Sequence, residues 1–166
     1  MFALQRAFFA LALFCLASPI LADVVRPALI EISVFNEGRF RVEIRASIEA
    51  LLTGINAQYQ DTTQAPTSEE YDRLRELEAE ELAREFAPFQ QRMLDLIELR
   101  FAGQRAVAQL VEVEIPVPGY TKVPRISLIV LEGLVPEQAR ELTWYYPAAF
   151  GDSAVRVRQV DLANER

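Results

Sequence analysis

The chain has 166 residues, a formal net charge of -7 and no histidine, and its one cysteine is Cys15. Without histidine, Ser-His-Asp and Cys-His nucleophilic catalysis is excluded, as are zinc, copper and nickel sites that depend on imidazole. The acidic balance also argues against nucleic acid as a partner, because phosphate backbones are bound by basic surfaces. A cation site built from carboxylate oxygens stays open.

The N-terminal segment has the pattern of a secretory signal peptide. Arg6 precedes an apolar run over residues 7–17, and Ala22 provides a small residue at a cleavage position. The run is shorter than the roughly 20 residues of a spanning helix, which favours cleavage before Asp23 over an uncleaved anchor. We therefore expect residues 1–22 to be removed from an exported chain that is periplasmic, or membrane-associated and facing the periplasm.

Cleavage would change the composition of the folded protein. It removes Cys15, so we expect neither a thiol nor a disulfide in the mature chain. It also removes Arg6, which makes the mature chain one unit more negative. The remainder, about 144 residues, suits one domain with its own core, predicted at residues 23–161. Residues 162–166 are interpreted as a linker or chain end.

The mature chain begins with a predicted hairpin. Residues 28–46 read ALIEISVFNEGRFRVEIRA, in which apolar and polar side chains alternate on both sides of Asn36-Glu37-Gly38. A period of two around a turn is typical of an antiparallel pair with one solvated face. The apolar positions are Ile30, Ile32, Val34, Phe40, Val42 and Ile44. The following SIEALLTGIN indicates a short helical or irregular connection.

The most charged stretch of the chain, TSEEYDRLRELEAEELAREF, carries local helix signals. Thr67 can cap the first turn, with Glu70 three residues later completing a capping box. Opposite charges spaced by four residues favour ion pairs on the helix surface. The pairs with this spacing are Glu69 with Arg73 and Glu80 with Arg84.

The apolar positions of this stretch change phase near Glu78. Two short helices, or one bent helix, are therefore predicted as an insertion over about residues 67–93. One interpretation is a cap over an open end or face of the sheet, and the other is an acidic surface that docks a partner. The surface would use Glu76, Glu78, Glu80, Glu81 and Glu85.

Strand patterns resume after this insertion. Ile97, Leu99 and Phe101 alternate before a turn at Ala102-Gly103, and the run from Leu128 to Leu131 is continuously apolar, as in a strand covered on both sides. Three further strands are predicted from apolar residues that share one face. These residues are Val111, Val113 and Ile115, then Leu142, Trp144 and Tyr146, then Val155 and Val157, with Arg156 and Arg158 on the opposite face. The short connections make every pairing antiparallel. The predicted fold is mainly β, an antiparallel two-sheet (immunoglobulin-like) sandwich with an inserted short helical pair.

Four stretches of the chain together resemble a known family. They are RPALIEI, IEALLTGIN, EEYDRLREL with EELAREF, and AAFGDSAVRVRQ. Their order and spacing resemble the N-terminal extracytoplasmic region of HupE/UreJ-like proteins, the hydrogenase and urease accessory family, over nearly all of residues 23–161. The resemblance implies a β-sandwich. In that family the sandwich is typically followed by a membrane domain, and the family is linked to uptake of nickel or other metals. That membrane segment is not in this sequence, so no transport residue is carried over.

Two further groups of residues have competing interpretations. Trp144, Tyr145, Tyr146 and Phe150 could form an aromatic ligand platform, whereas strand patterning favours alternate members in the core. Asp152 with Glu132 or Glu141 would be a carboxylate pair for glycoside hydrolysis, but nothing in their spacing supports it. No catalytic residue, metal ligand or cofactor is predicted.

The predicted function is that of a non-catalytic extracytoplasmic domain acting through protein contacts. The resemblance implies a membrane-protein or extracytoplasmic protein partner, in a membrane accessory system. The alternative is a free-standing periplasmic binding module for a cation or small ligand. After the signal peptide, no apolar run is long enough for a transmembrane helix.

Overall fold

The structure is a computed structural model that describes residues 24–121, 123–137 and 139–161. The signal peptide predicted at residues 1–22 and the chain end predicted at 162–166 lie outside the described residues. The strands are β1 (Ala28–Phe35), β2 (Arg39–Ala46), β3 (Glu98–Phe101), β4 (Gln104–Arg105), β5 (Ala108–Glu114), β6 (Ser127–Leu134), β7 (Leu142–Tyr145) and β8 (Ser153–Val160). The helices are α1 (Ile48–Thr53), α2 (Ser68–Glu76) and α3 (Ala79–Leu96), with 3-10 turns at Thr62–Gln64 and Ala148–Phe150.

The described strands form two sheets around one core. One sheet has five strands in the order β5-β6-β2-β1-β8, and the other has three in the order β4-β3-β7. Phe40 of β2 packs against Phe101 of β3 with 5.6 Å between ring centroids, so the two sheets share apolar contacts. The mainly β class with two sheets and a few short helices is therefore as predicted.

The first hairpin confirms the prediction made from alternation. Ile30 lies opposite Ile44 and Ile32 opposite Val42, and all four side chains are buried on the core face. Gly38 closes the turn with φ 77°, a left-handed conformation that glycine adopts without steric cost. The intervening side chains face the other side of the sheet, which is charged.

The prediction that every strand pairing is antiparallel is wrong. β8 pairs with β1 in parallel, from Ala28 opposite Ser153 to Phe35 opposite Val160. The chain leaves β7 in the three-stranded sheet and enters β8 at the edge of the five-stranded sheet. Because this short connection changes sheets instead of turning back within one, its length imposes no antiparallel pairing.

The predicted common face of Val111, Val113 and Ile115 is also wrong for one residue. The register of β5 against β6 shifts between Leu110 and Glu112, and Val111 is 50% exposed. Leu110 packs on the core in its place, as does Val113. A β-bulge inserts one extra residue, so the face occupied by each side chain changes at that point.

Two helices occupy the charged stretch, as the change of phase near Glu78 predicted, but their ends differ from expectation. The Thr67 hydroxyl donates to the Thr53 carbonyl oxygen and makes no cap. The capping interaction is instead at α3, where the Glu81 carboxylate accepts from the Glu78 N–H. The Thr67 side chain bonds to Thr53 because the C-terminus of α1 lies beside the N-terminus of α2. Local sequence does not encode this arrangement.

The ion pairs on these helices use a spacing of three residues where four was predicted. Arg73 binds Glu70 at 2.7 Å, and Arg84 lies 3.9 Å from Glu81. Residues three apart are also neighbours on a helix surface, so either spacing is sterically accessible. The apolar stripes of both helices are buried in the core, through Leu74, Leu82, Phe86 and Met93.

Candidate functional site

The predicted acidic surface is exposed but partly neutralised. All five of its glutamates, Glu76, Glu78, Glu80, Glu81 and Glu85, are exposed to solvent. Arg73 donates to the Glu85 carboxylate across the two helices at 3.3 Å, and Glu81 is engaged at the start of α3. Among the described residues, no group of three or more potential ligand side chains could hold a metal ion. The helices therefore present a solvated face that is still net negative, although ion pairs offset part of its charge.

The aromatic residues near the C-terminus are separated by strand geometry. Trp144, Tyr146 and Phe150 lie together and half-buried, with 6.5 Å between the Trp144 and Tyr146 rings and 5.5 Å between the Tyr146 and Phe150 rings. Tyr145 points to the other side of β7 and is exposed. Phe89 of α3 completes the group, 5.7 Å from Phe150. This group extends the core, as strand patterning favoured.

Two polar atoms in that aromatic group are buried without a hydrogen-bond partner in the described part of the chain. They are the Trp144 Nε1 and the Tyr146 hydroxyl. Burial raises the pKa of Tyr146, because the phenolate would be poorly solvated. Buried polar groups in folded proteins are usually paired, so each unpaired atom calls for a physical explanation.

The carboxylates considered for hydrolysis do not meet. Arg158 of β8 serves as a reference point, because the strand registers place it in line with Glu132 of β6 across the sheet. The two residues are three strands apart, roughly 14 Å at ~4.8 Å per strand. Asp152 precedes β8, about 20 Å further along at ~3.3 Å per residue. Glu141 lies beside Arg158, at the opposite end of β8 from Asp152. A glycosidase needs its two carboxyls within roughly 10 Å, so neither combination has the geometry.

Sequence reasoning missed a buried ion pair between Glu49 of α1 and Arg125. The Arg125 Nε lies 2.8 Å from the Glu49 Oε1, and their side chains are 6% and 0% exposed. The Ser47 hydroxyl donates to the second Glu49 oxygen. The one local signal was a glutamate inside the apolar run IEALL, whose partner is 76 residues away along the chain.

The same arginine anchors a long exposed loop. Its Nη1 donates to the carbonyl oxygens of Leu77 and Pro116, at 2.9 and 3.3 Å, so it joins the end of α2 to the segment after β5. That segment exposes Val117 and Tyr120. The ion pair therefore fixes the base of the β5–β6 connection.

β8 is the longest edge strand of the two described sheets, with eight residues. β8 is the last strand of its sheet and, among the described residues, pairs with β1 alone. Val155 and Val157 face the core side but are 43% and 54% exposed. The facing sheet has three strands against five, and it leaves this end of the core face open.

Basic side chains flank the β8 edge in a protein that is otherwise acidic. Arg156 and Arg158 project from the outer face, and their side chains are largely exposed. Both lie near Glu31 of β1, Arg156 at 4.0 Å. Arg140 and Glu141 both line the groove beside Val157 and Arg158. The edge thus combines backbone groups with no strand partner among the described residues, two apolar side chains, and two arginines whose charge Glu31 offsets in part.

Comparison with known proteins adds no relative. No protein-family model, curated protein or solved structure matches the chain. The resemblance to HupE/UreJ-like proteins therefore stays a prediction. In the part of the chain that the structure describes, no helix has the length and apolar character needed to cross a membrane.

Proposed function

We propose that this chain is a non-catalytic extracytoplasmic domain that binds another protein by strand addition along β8. The observation that carries the proposal is an eight-residue edge strand whose outer side has no pairing among the described residues. Proteins usually shorten, twist or cover such edges, because exposed N–H and C=O groups template pairing with another chain. Here the edge is long and the valines beside it are partly exposed.

The occupant that fits this edge is an extended acidic segment of a partner protein. Main-chain hydrogen bonds to β8 would supply affinity. Alternate side chains of the partner segment would contact Val155 and Val157 on one face of the sheet and the arginines on the other face. A second copy of the chain fits less well. In the registers that pair most of β8 with itself, Arg156 would face Arg156 or Arg158 of the other copy, and like charges directly opposite are destabilising.

The resemblance supports a membrane-associated accessory system linked to metal uptake as the setting, with a membrane protein or extracytoplasmic protein as partner. The same resemblance supports an immunoglobulin-like sandwich as the finer description of the two sheets. The Phe40–Phe101 contact between the sheets agrees with a sandwich core. The export predicted from the N-terminal segment would agree with both proposals.

The test uses two labelled eight-residue peptides, one alternating valine with glutamate and the other alternating valine with lysine. We expect the acidic peptide to bind at least roughly tenfold more tightly in fluorescence anisotropy, because its charges complement the arginines. Hydrogen exchange should slow across residues 153–160 in its complex. R156E/R158E should reverse the preference between the peptides, since it reverses the charge of the edge.

The matched control is R84E/R92E, which makes the same change of net charge on an exposed face of α3. This variant should keep the preference for the acidic peptide. Equal binding of both peptides, or unchanged exchange across β8, would contradict the proposal. A reversal of preference in the control variant would show that net charge, and not the edge, determines binding.

A further inference from the structure

The connection between β5 and β6, residues 115–126, carries three large apolar side chains that are open to solvent. Val117, Tyr120 and Val123 are 75%, 74% and 55% exposed. Single apolar side chains are normal on a protein surface, whereas a group of them marks a contact with another protein or with a membrane. These three lie close together on one loop, so the loop is a candidate contact surface.

The loop is held near its base and across its tip. Arg125 donates to the Pro116 carbonyl oxygen and binds the buried Glu49, so both ends of the loop are tied to the domain. Near the tip, the Val123 N–H donates to the Tyr120 carbonyl oxygen at 2.9 Å. A segment held in this way loses less conformational freedom on binding than a free one. The apolar side chains are therefore presented on a prepared surface.

The backbone of the loop suits an apolar environment. Pro116, Pro118 and Pro124 have no N–H, and the N–H of Val123 is already paired. Backbone donors without a partner are costly to place at a lipid-exposed position, so fewer of them make insertion easier. The same prolines argue against a partner that pairs with the loop as a strand, because a ladder of hydrogen bonds needs N–H donors.

The distribution of charge favours a surface with little net charge. Residues 115–131 contain no aspartate or glutamate, so insertion of the loop would bury no carboxylate. Lys122, outside the described residues, is the one charged residue of the sequence from Pro116 to Pro124, and the long stem of a lysine lets its ammonium group stay in water. The net charge of -7 opposes approach to an anionic surface. A bilayer of zwitterionic lipid meets these conditions.

We propose that Val117, Tyr120 and Val123 insert shallowly into the interfacial layer of a zwitterionic lipid bilayer. The two valines provide affinity through burial of hydrocarbon surface, and tyrosine is a residue type enriched at this depth of a membrane. β5 and β8 are opposite edges of the five-stranded sheet, so the loop can contact a bilayer while β8 holds a partner segment. The membrane contact does not depend on the proposed strand addition.

A fluorescent label on the loop tests insertion. T121C in a C15S chain gives one site for the dye NBD, whose emission rises and shifts to shorter wavelength in apolar surroundings. We expect this change with phosphatidylcholine vesicles and none with free glycerophosphocholine, which has no apolar layer. A label at Q109C, exposed near the other end of β5, should not respond. The dye senses its own surroundings, so attachment through residues 7–17 would not produce a response at T121C alone.

Two double substitutions of valine show whether the exposed side chains cause insertion. V117S/V123S in the T121C chain should weaken insertion at least roughly tenfold, because it removes hydrocarbon that the bilayer would bury. V107S/V111S makes the same change at two comparably exposed valines outside the loop and should leave insertion unchanged. Melting temperatures close to that of the parent chain would show that both variants are folded.

Three results would overturn the proposal. They are the absence of a response to vesicles at T121C, equal responses at T121C and Q109C, and equal weakening by the two double substitutions. A response to phosphatidylglycerol vesicles alone would overturn the assignment to a zwitterionic surface, since the net charge of the chain predicts weaker binding there.

Discussion

At the scale of single residues, the Glu49–Arg125 pair has an unusually dry environment for two charges. The pair spans parts of the chain that are distant in sequence, and Arg125 also donates to the Leu74 carbonyl oxygen at the end of α2. Taking two charges out of water is costly, and geometry with additional hydrogen bonds offsets that cost. Removal of one member would leave the other charged, buried and uncompensated.

We expect R125L to destabilise the domain by about 3–5 kcal/mol, because Glu49 would stay buried without its counterion. The double variant E49L/R125L should lose less stability than R125L, since it leaves no buried charge. Urea unfolding at pH 7 of the wild type, both single variants and the double variant measures this coupling as a cycle.

The control for this cycle is R84L, which breaks an exposed pair with Glu81 and should cost less than about 1 kcal/mol. A double variant as unstable as the sum of the two singles would show that the pair has no coupling. The interpretation of a desolvated anchor would then be wrong.

At the scale of elements, the outer face of the five-stranded sheet has a cross-strand charge network centred on Arg41 of β2. Its guanidinium lies 2.7 Å from Glu132 of β6, 3.2 Å from Glu43 and 3.4 Å from Glu112 of β5. Burial raises the pKa of Glu43, but hydrogen bonds from Arg41 and Arg45 outweigh that effect and hold the pKa below its ordinary value. The network therefore links three neighbouring strands.

This network makes stability depend on pH in a defined direction. A carboxyl whose pKa is lower in the folded chain stabilises it above the unfolded value, about 4.3 for glutamate, and that contribution is lost as the pH falls through the folded pKa. We expect R41Q to cost about 1 kcal/mol at pH 7 and clearly less at pH 3. Urea unfolding at the two pH values measures the difference.

The matched control for R41Q is R39Q, on the same strand. Arg39 lies over the Phe35 ring and has no ion pair among the described residues, so the cost of its substitution should change little between the two pH values. If R41Q lowered the free energy of unfolding equally at pH 7 and pH 3, the ion pairs between Arg41 and the carboxylates would contribute nothing to stability.

At the scale of the whole molecule, the predicted export would determine which residues reach the folded domain. Expression from Met1 in a Gram-negative host should yield a periplasmic protein whose intact mass corresponds to a start at Asp23, because signal peptidases need a small residue such as Ala22 before the cut. A22R should block processing and leave a heavier, membrane-held form. A cytoplasmic product with residues 1–22 intact would contradict the prediction.

Much of the local structure was predictable from the sequence. Alternation at Ile30, Ile32 and Val34 indicated a strand with one buried face. A period of two in hydrophobicity predicts such a strand, and it does not depend on which element packs against the buried face. The phase change near Glu78 likewise indicated two helices or one bent helix, and the structure has two. For the candidate site, the sequence indicated the alternation of Val155 and Val157 with Arg156 and Arg158, but not that their strand forms a free edge of the sheet.

The sequence by itself determined the exclusion of imidazole chemistry, the mainly β class, and most element positions, because these depend on residue type and short-range periodicity. Only the tertiary structure decided the parallel pairing of β1 with β8, the bulge at Val111, and the meeting of Glu49 with Arg125. These features depend on which edges and faces meet across long loops. Strands with similar local patterns can pair in many ways, and the shared core selects one of them.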